Sequence, residues 1–200
     1  MIVLRGSITL SFCYRITKMP PEESLPEPVA AVSPFTAPVV VEILRTRSWL
    51  VLEPSAEQGA WCERAASLLG PHAADRAALA DLLALVFYYD AHEIIARVDS
   101  HVVLSRYAAR DVLRHLALLL LDGAPLTSDR FKEVVSALKE GLDIRGRELF
   151  HPLRLALAGR SGEGVLDRVI LLLDDAASLP FAVPVKSARA RILEFCAALD

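Results

Sequence analysis

The stretch from Ala74 to Asp90, "ADRAALADLLALVFYYD", sets Leu79, Leu82, Leu83, Val86 and Phe87 along one stripe at helical spacing. A stripe that wide must be covered, and only another apolar face can cover it. The rest of the chain offers such faces in the same residue types. Leu and Ala predominate, and 54% of the residues are hydrophobic while only 6% are aromatic. Leu and Ala favour helices, whereas sheets draw on Val, Ile, Thr and Tyr. The pattern predicts an all-α fold, a compact multi-helix bundle with short connections.

Boundaries follow from punctuation. Residues 20–38, "PPEESLPEPVAAVSPFTAP", contain Pro20, Pro21, Pro26, Pro28, Pro34 and Pro38, which predicts an extended linker. Together with Met1–Lys18 they read as a disordered, Pro-rich tail over residues 1–38, exposed to proteases. Residues 39–200 read as the folded part, with a possible division into about 39–125 and 126–200. "VVVEILRTRSWLVLE", Val39 to Glu53, fits a strand by its β-branched start and a helix by Val41, Leu44 and Trp49. Ser55 and Gln58 form a capping box for a helix that should run to about Leu69 and stop at Gly70-Pro71.

Ser105 to Leu121 is predicted as one helix, with Tyr107, Val112, Leu116, Leu119 and Leu120 inward, Arg106, Arg110 and Arg114 outward, and Asp122-Gly123 closing it. Thr127 or Ser128 should cap the next helix and Gly141 should end it. Further helices are expected from about Val165 to Leu173 and within "KSARARILEFCAAL".

Familiar catalytic patterns fail on inspection. "HEIIA" at His92–Ala96 lacks the second histidine of a zinc-binding HExxH. "GRSGEG" at Gly159–Gly164 has neither the GK[ST] of a phosphate loop nor a preceding strand. Cys13, Cys62 and Cys196 are odd in number and lie far apart, which implies no disulfide framework, no zinc site and a reducing, cytoplasmic setting. The apolar N-terminus is too short and too charged to span a bilayer. No catalytic residue, metal site, cofactor or membrane partner is expected.

Charge points to one region. Net charge is −3 overall, but residues 1–100 carry 8 basic and 12 acidic side chains against 14 and 13 in residues 101–200. Arg145, Arg147, Arg154, Arg160 and Arg168 outnumber Glu148, Glu163 and Asp167 by two, with His151 in addition. An anionic partner would be met there. Within "GRELFHPLRLALAGRSGEG", Gly146 to Gly164, Pro152 fits the first turn of a helix reaching Ala158, and Gly159 fits its end. Arg154 should then project at the surface beside a pliable turn with free backbone N–H groups, suited to a phosphate or an unstacked base.

These residues resemble a signature near the C-terminus of bacterial-type glutamyl-tRNA synthetases, Gly-Lys-x-Leu-Phe-x-Pro-Leu-Arg-x-Ala-Leu-Thr-Gly followed by another helix. Weaker likeness extends upstream through "LTSDRFKEVVSALKEGLDIRGRELF" and "ALADLLALVFYYD", so that it covers about Ser55 to Leu173. The resemblance implies a helical anticodon-binding region that clasps a glutamate-type tRNA. It places the base-reading arginine of the Pro-Leu-Arg motif on Arg154 and an apolar contact on Leu166. It also reveals two departures: Glu163-Gly164 stand where that family has Thr-Pro, and Ala158 where it has Thr.

Class I synthetases activate their amino acid with a Rossmann domain bearing HIGH-like and KMSKS-like motifs, and these 200 residues contain neither motif. The expectation is a stand-alone tRNA-binding module without aminoacylation activity, with no cofactor, that either sequesters tRNA or presents it to a synthetase or another tRNA-using enzyme. A second reading stays open: a synthetase-derived scaffold whose surface has exchanged RNA for a protein.

Overall fold

The computed structural model describes residues 35–200. Segment 1–34, which holds most of the predicted tail, lies outside the described residues. Eleven α-helices and one 3-10 turn follow one another, and no strand occurs among the described residues.

Helix α1 spans Ala37–Thr46 and settles the ambiguous segment as helical. It begins two residues inside the stretch read as linker, because Pro38 sits in its first turn, where a missing N–H breaks no bond. Val40, Ile43 and Leu44 face inward. Ser48 then adopts a left-handed conformation at φ 59°, and Trp49 donates its N–H to Leu44 O while Ser48 donates to Arg45 O. That paired bonding is a Schellman closure, and it sets Trp49 parallel to Phe87 with ring centroids 4.6 Å apart.

Helix α2, Ala56–Leu69, opens on the predicted capping box: Ser55 Oγ accepts from Gln58 N–H and Gln58 Oε1 from Ser55 N–H. Helix α3, Arg76–Phe87, is capped by Asp75 and buries the forecast stripe, with Leu82 at its half-exposed margin. Two short helices then appear where none was expected, α4 at Ala91–Ala96, capped by Asp90, and α5 at Val98–Leu104.

The next segment corrects the sequence reading. Helix α6 is Ala109–Leu119, shorter than Ser105–Leu121, because Ser105–Ala108 forms turns, and Tyr107 is 100% exposed instead of inward. Helix α7, Ser128–Leu142, is capped by Thr127 and runs through Gly141 to Asp143, which takes the left-handed closing position at φ 50°. Asp is one of the few side chains that tolerates that conformation.

Helix α8, Arg147–Ala158, starts five residues before Pro152, which is therefore internal and not in the first turn. One intrahelical bond is lost, to the carbonyl of exposed Glu148, while Leu149, Leu153, Leu155 and Leu157 are all buried, and packing outweighs the local penalty. Helices α9, Val165–Ile170, α10, Leu173–Ser178, and α11, Ala188–Leu199, complete the order.

A single apolar core runs from Val40 in α1 to Phe195 in α11, with α8 packed against α6, α9 and α11. Arg191 of α11 lies in that core with no exposed surface. No described helix is long and apolar enough to cross a membrane, and no described group of three or more His, Cys, Asp or Glu could hold a metal.

Candidate nucleic-acid interface

Gly159 ends α8 at φ 75°, a conformation that favours glycine, and a Cβ there would stand 3.1 Å from Ile94 Cδ1, which would have to give way. The chain then turns through residues 160–164 into α9. Sequence reasoning expected this turn to be pliable and Arg154 to be at the surface. The structure shows the reverse arrangement. Arg154 Nε and Nη2 donate to the two carboxylate oxygens of Asp167, each at 2.7 Å, and Nη1 donates to Gly162 O at 2.6 Å. The Arg154 side chain is 11% exposed and that of Asp167 is 22%. Its guanidinium also lies 4.8 Å from the Phe150 ring centroid. One side chain thus ties the middle of the turn to the first turn of the following helix.

Leu166, expected as an apolar contact for a ligand, is buried at 5% exposure. It supports the turn from beneath, its Cδ1 placed 3.3 Å from where a Cβ on Gly162 would stand. Glu163 and Gly164 are exposed at the crest.

The remaining arginines do not gather at one point. Arg168 shares a cleft with Glu163 and Gly164 from the turn, Asp167 from α9, Lys132 and Phe131 from α7, and His72 from the 3-10 turn Gly70–His72. Lys132 and Arg168 there face Glu163 and Asp167, so the cleft is balanced in charge, and Lys132 is further paired with Asp129 at 2.9 Å. Arg160 lines a second cleft, and Arg145 a third beside Lys139, Glu140 and Asp143. Arg147 is exposed near the start of α8. Burial and the nearby Arg106, Arg147 and Arg154 push the His151 imidazole below its usual pKa, which marks a locally positive end of that helix.

Lys132, Phe131 and His72 escaped the sequence reading because the fold alone brings them to the turn. Asp167 was counted only as a charge. Its pairing with Arg154 spans 13 residues and leaves no trace in local spacing.

A family model described as an anticodon binding domain matches residues 31–178. The chain belongs to that family. The match covers nearly three quarters of the chain and includes α8, the turn and α9, so the anticodon-binding domain contains every residue of the clefts around Arg154. The glutamate–tRNA ligase 2 of Syntrophus aciditrophicus (strain SB) is 34% identical over 77 residues, or 38% of this chain. Those residues are 16% of that ligase, so the similarity concerns a small part of it. No solved structure matches the chain. Helix α11 lies beyond the matched residues of the anticodon-binding domain.

Proposed function

We propose that the chain binds a glutamate-type tRNA by its anticodon loop and does not itself aminoacylate it. The observation that carries this reading is the clamped turn. Arg154, Asp167 and Gly162 hold residues 159–164 in one conformation and present Glu163, Gly164 and Arg168 at the lip of a cleft, inside an anticodon-binding domain. A preformed lip loses little entropy on binding. Arg154 retains one N–H on each terminal nitrogen that Asp167 and Gly162 do not take, and these can meet a base edge without breaking the clamp. Arg145, Arg147, Arg160 and Arg168, all exposed, supply phosphate contacts.

Titration of the folded protein with a transcribed glutamate tRNA at 50 mM and about 200 mM salt tests the reading. Weak binding that falls steeply with salt is expected, and Arg160→Ala should flatten the salt slope by about one unit. Equal failure on every tRNA at low salt by a protein whose helicity is intact overturns it.

The charge balance of the Arg168 cleft favours a second reading, a surface for a synthetase or another tRNA-using protein. Glu163 separates the two. An exposed carboxylate facing RNA repels phosphate, so Glu163→Thr should raise tRNA affinity a few-fold, measured in the same titration. No change, or a loss, means that RNA does not approach the crest.

A further inference from the structure

The second cleft, of about 470 Å³, lies at the other end of the same turn and differs in its chemistry. Arg47, Arg97 and Arg160 line it, and Asp90 is the acidic residue among its walls. Asp90 stays ionised, because its Oδ1 accepts the Glu93 N–H that caps α4 and that bond holds its carboxyl below the usual range, so three arginines stand against one carboxylate. Arg97 is partly committed, donating from Nη1 to Gly159 O at 3.0 Å. Arg47 and Arg160 are exposed and form no ion pair among the described residues. The cleft therefore holds a positive excess that the balanced Arg168 cleft lacks.

Aromatic surface accompanies the charge. Trp49 is half-buried and held flat against Phe87, a fixed platform, and Tyr88 is 57% exposed with its hydroxyl donating to Glu93 Oε2. Unpaired cations beside rigid aromatic faces suit a ligand that carries both a phosphate and a planar base. The volume falls in the range of sites that enclose a small molecule of nucleotide size.

We propose that this cleft seats a nucleotide of a single RNA strand that crosses the 159–164 turn, its base against Trp49 or Tyr88 and its phosphate between Arg47 and Arg160. The inference rests on the RNA-binding reading above and deepens it. Arg160 in this cleft and Glu163 in the other are three residues apart, at most about 10 Å of extended chain, a span that a few nucleotides bridge. The charge difference makes this cleft, not the one at Glu163, the principal source of affinity.

The test uses the full chain and a glutamate-anticodon stem-loop RNA, with AMP as a free-nucleotide probe. Trp61 is shut in the core, so quenching of tryptophan fluorescence on binding reports Trp49. Quenching by the RNA is expected, with Kd raised roughly tenfold or more by Arg47→Glu and by Tyr88→Ala, and largely restored by Arg47→Lys. Neither position is in the core, and the two variants act independently should one perturb folding. If both bind RNA like the unaltered protein while Arg168→Glu does not, this inference falls and the tRNA reading stands. If the unaltered protein binds no RNA, both fall. Quenching by AMP that RNA cannot compete away makes the cleft a mononucleotide site and overturns the strand.

Discussion

Arg191→Met is expected to leave the protein unable to fold, or to lower its stability by on the order of 4 kcal/mol or more. The reason lies in what the guanidinium serves. It is wholly buried and forms no ion pair among the described residues; its N–H groups donate to Leu85 O and Leu157 O at 2.8 Å, Val86 O at 2.5 Å and Lys186 O at 3.2 Å. Leu85 and Val86 belong to the last turn of α3 and Leu157 to the last turn of α8, where backbone carbonyls have no intrahelical donor. One side chain of α11 therefore caps two helix C-termini, and their negative dipole ends stabilise its charge in return. Tyr89 completes the site, its ring centroid 4.6 Å from the guanidinium carbon and its hydroxyl donating to Ala156 O at 2.5 Å.

Burial pushes the Arg191 pKa down to about 10, still well above neutrality, so the group remains a cation at physiological pH. Methionine fills much of the space but donates nothing, and each orphaned buried carbonyl costs about 1–3 kcal/mol. Whole domains are stable by only about 5–15 kcal/mol. Arg191→Lys should fall between, since an ammonium has three donors and lacks the planar fork. Urea denaturation of the soluble material measures all three proteins. An unfolding free energy for Arg191→Met within about 1 kcal/mol of that of the unaltered protein would refute the capping role.

What the sequence revealed was whatever local spacing encodes. The α3 stripe, the Ser55–Gln58 capping box, the Thr127 cap and the Gly159 terminus all depend on residues within a turn of each other, and each stands as read. Failures occurred where distant contacts decide. Pro152 argues locally for a helix start, yet the burial of Leu149 and Leu153 extends the helix by five residues before it. Tyr107 fits an apolar stripe only if the helix is already formed there, and it is not. The segment "KSARARILEF" reads only as a helix, and nothing near Arg191 in it signals that three carbonyls from α3 and α8 await its side chain. The candidate site divides in the same way: its glycines and arginines were visible, while their distribution over separate clefts was not.

Arg154→Ala should destabilise the fold by about 2–4 kcal/mol, because it leaves Asp167 partly buried with its two accepted bonds gone and frees Gly162 O. Removing both charges is a different matter. In Arg154→Met/Asp167→Leu no unpaired ion remains, so the double variant should regain much of the loss in chemical denaturation, a coupling characteristic of a desolvated pair. A loss below about 1 kcal/mol for Arg154→Ala would mean that the clamp does not hold the turn in solution. RNA titration below the unfolding midpoint then separates two ways in which this arginine can matter. If it acts by fixing the turn, Asp167→Asn should weaken tRNA binding about as much as Arg154→Ala, since either releases residues 160–164. If its two remaining N–H groups read a base, Arg154→Ala should also relax discrimination at one anticodon position by roughly 1–3 kcal/mol. Asp167→Asn, which leaves the guanidinium in place, should not. Equal affinities for matched and altered anticodons in the unaltered protein would exclude base reading and leave Arg154 as a purely structural clamp.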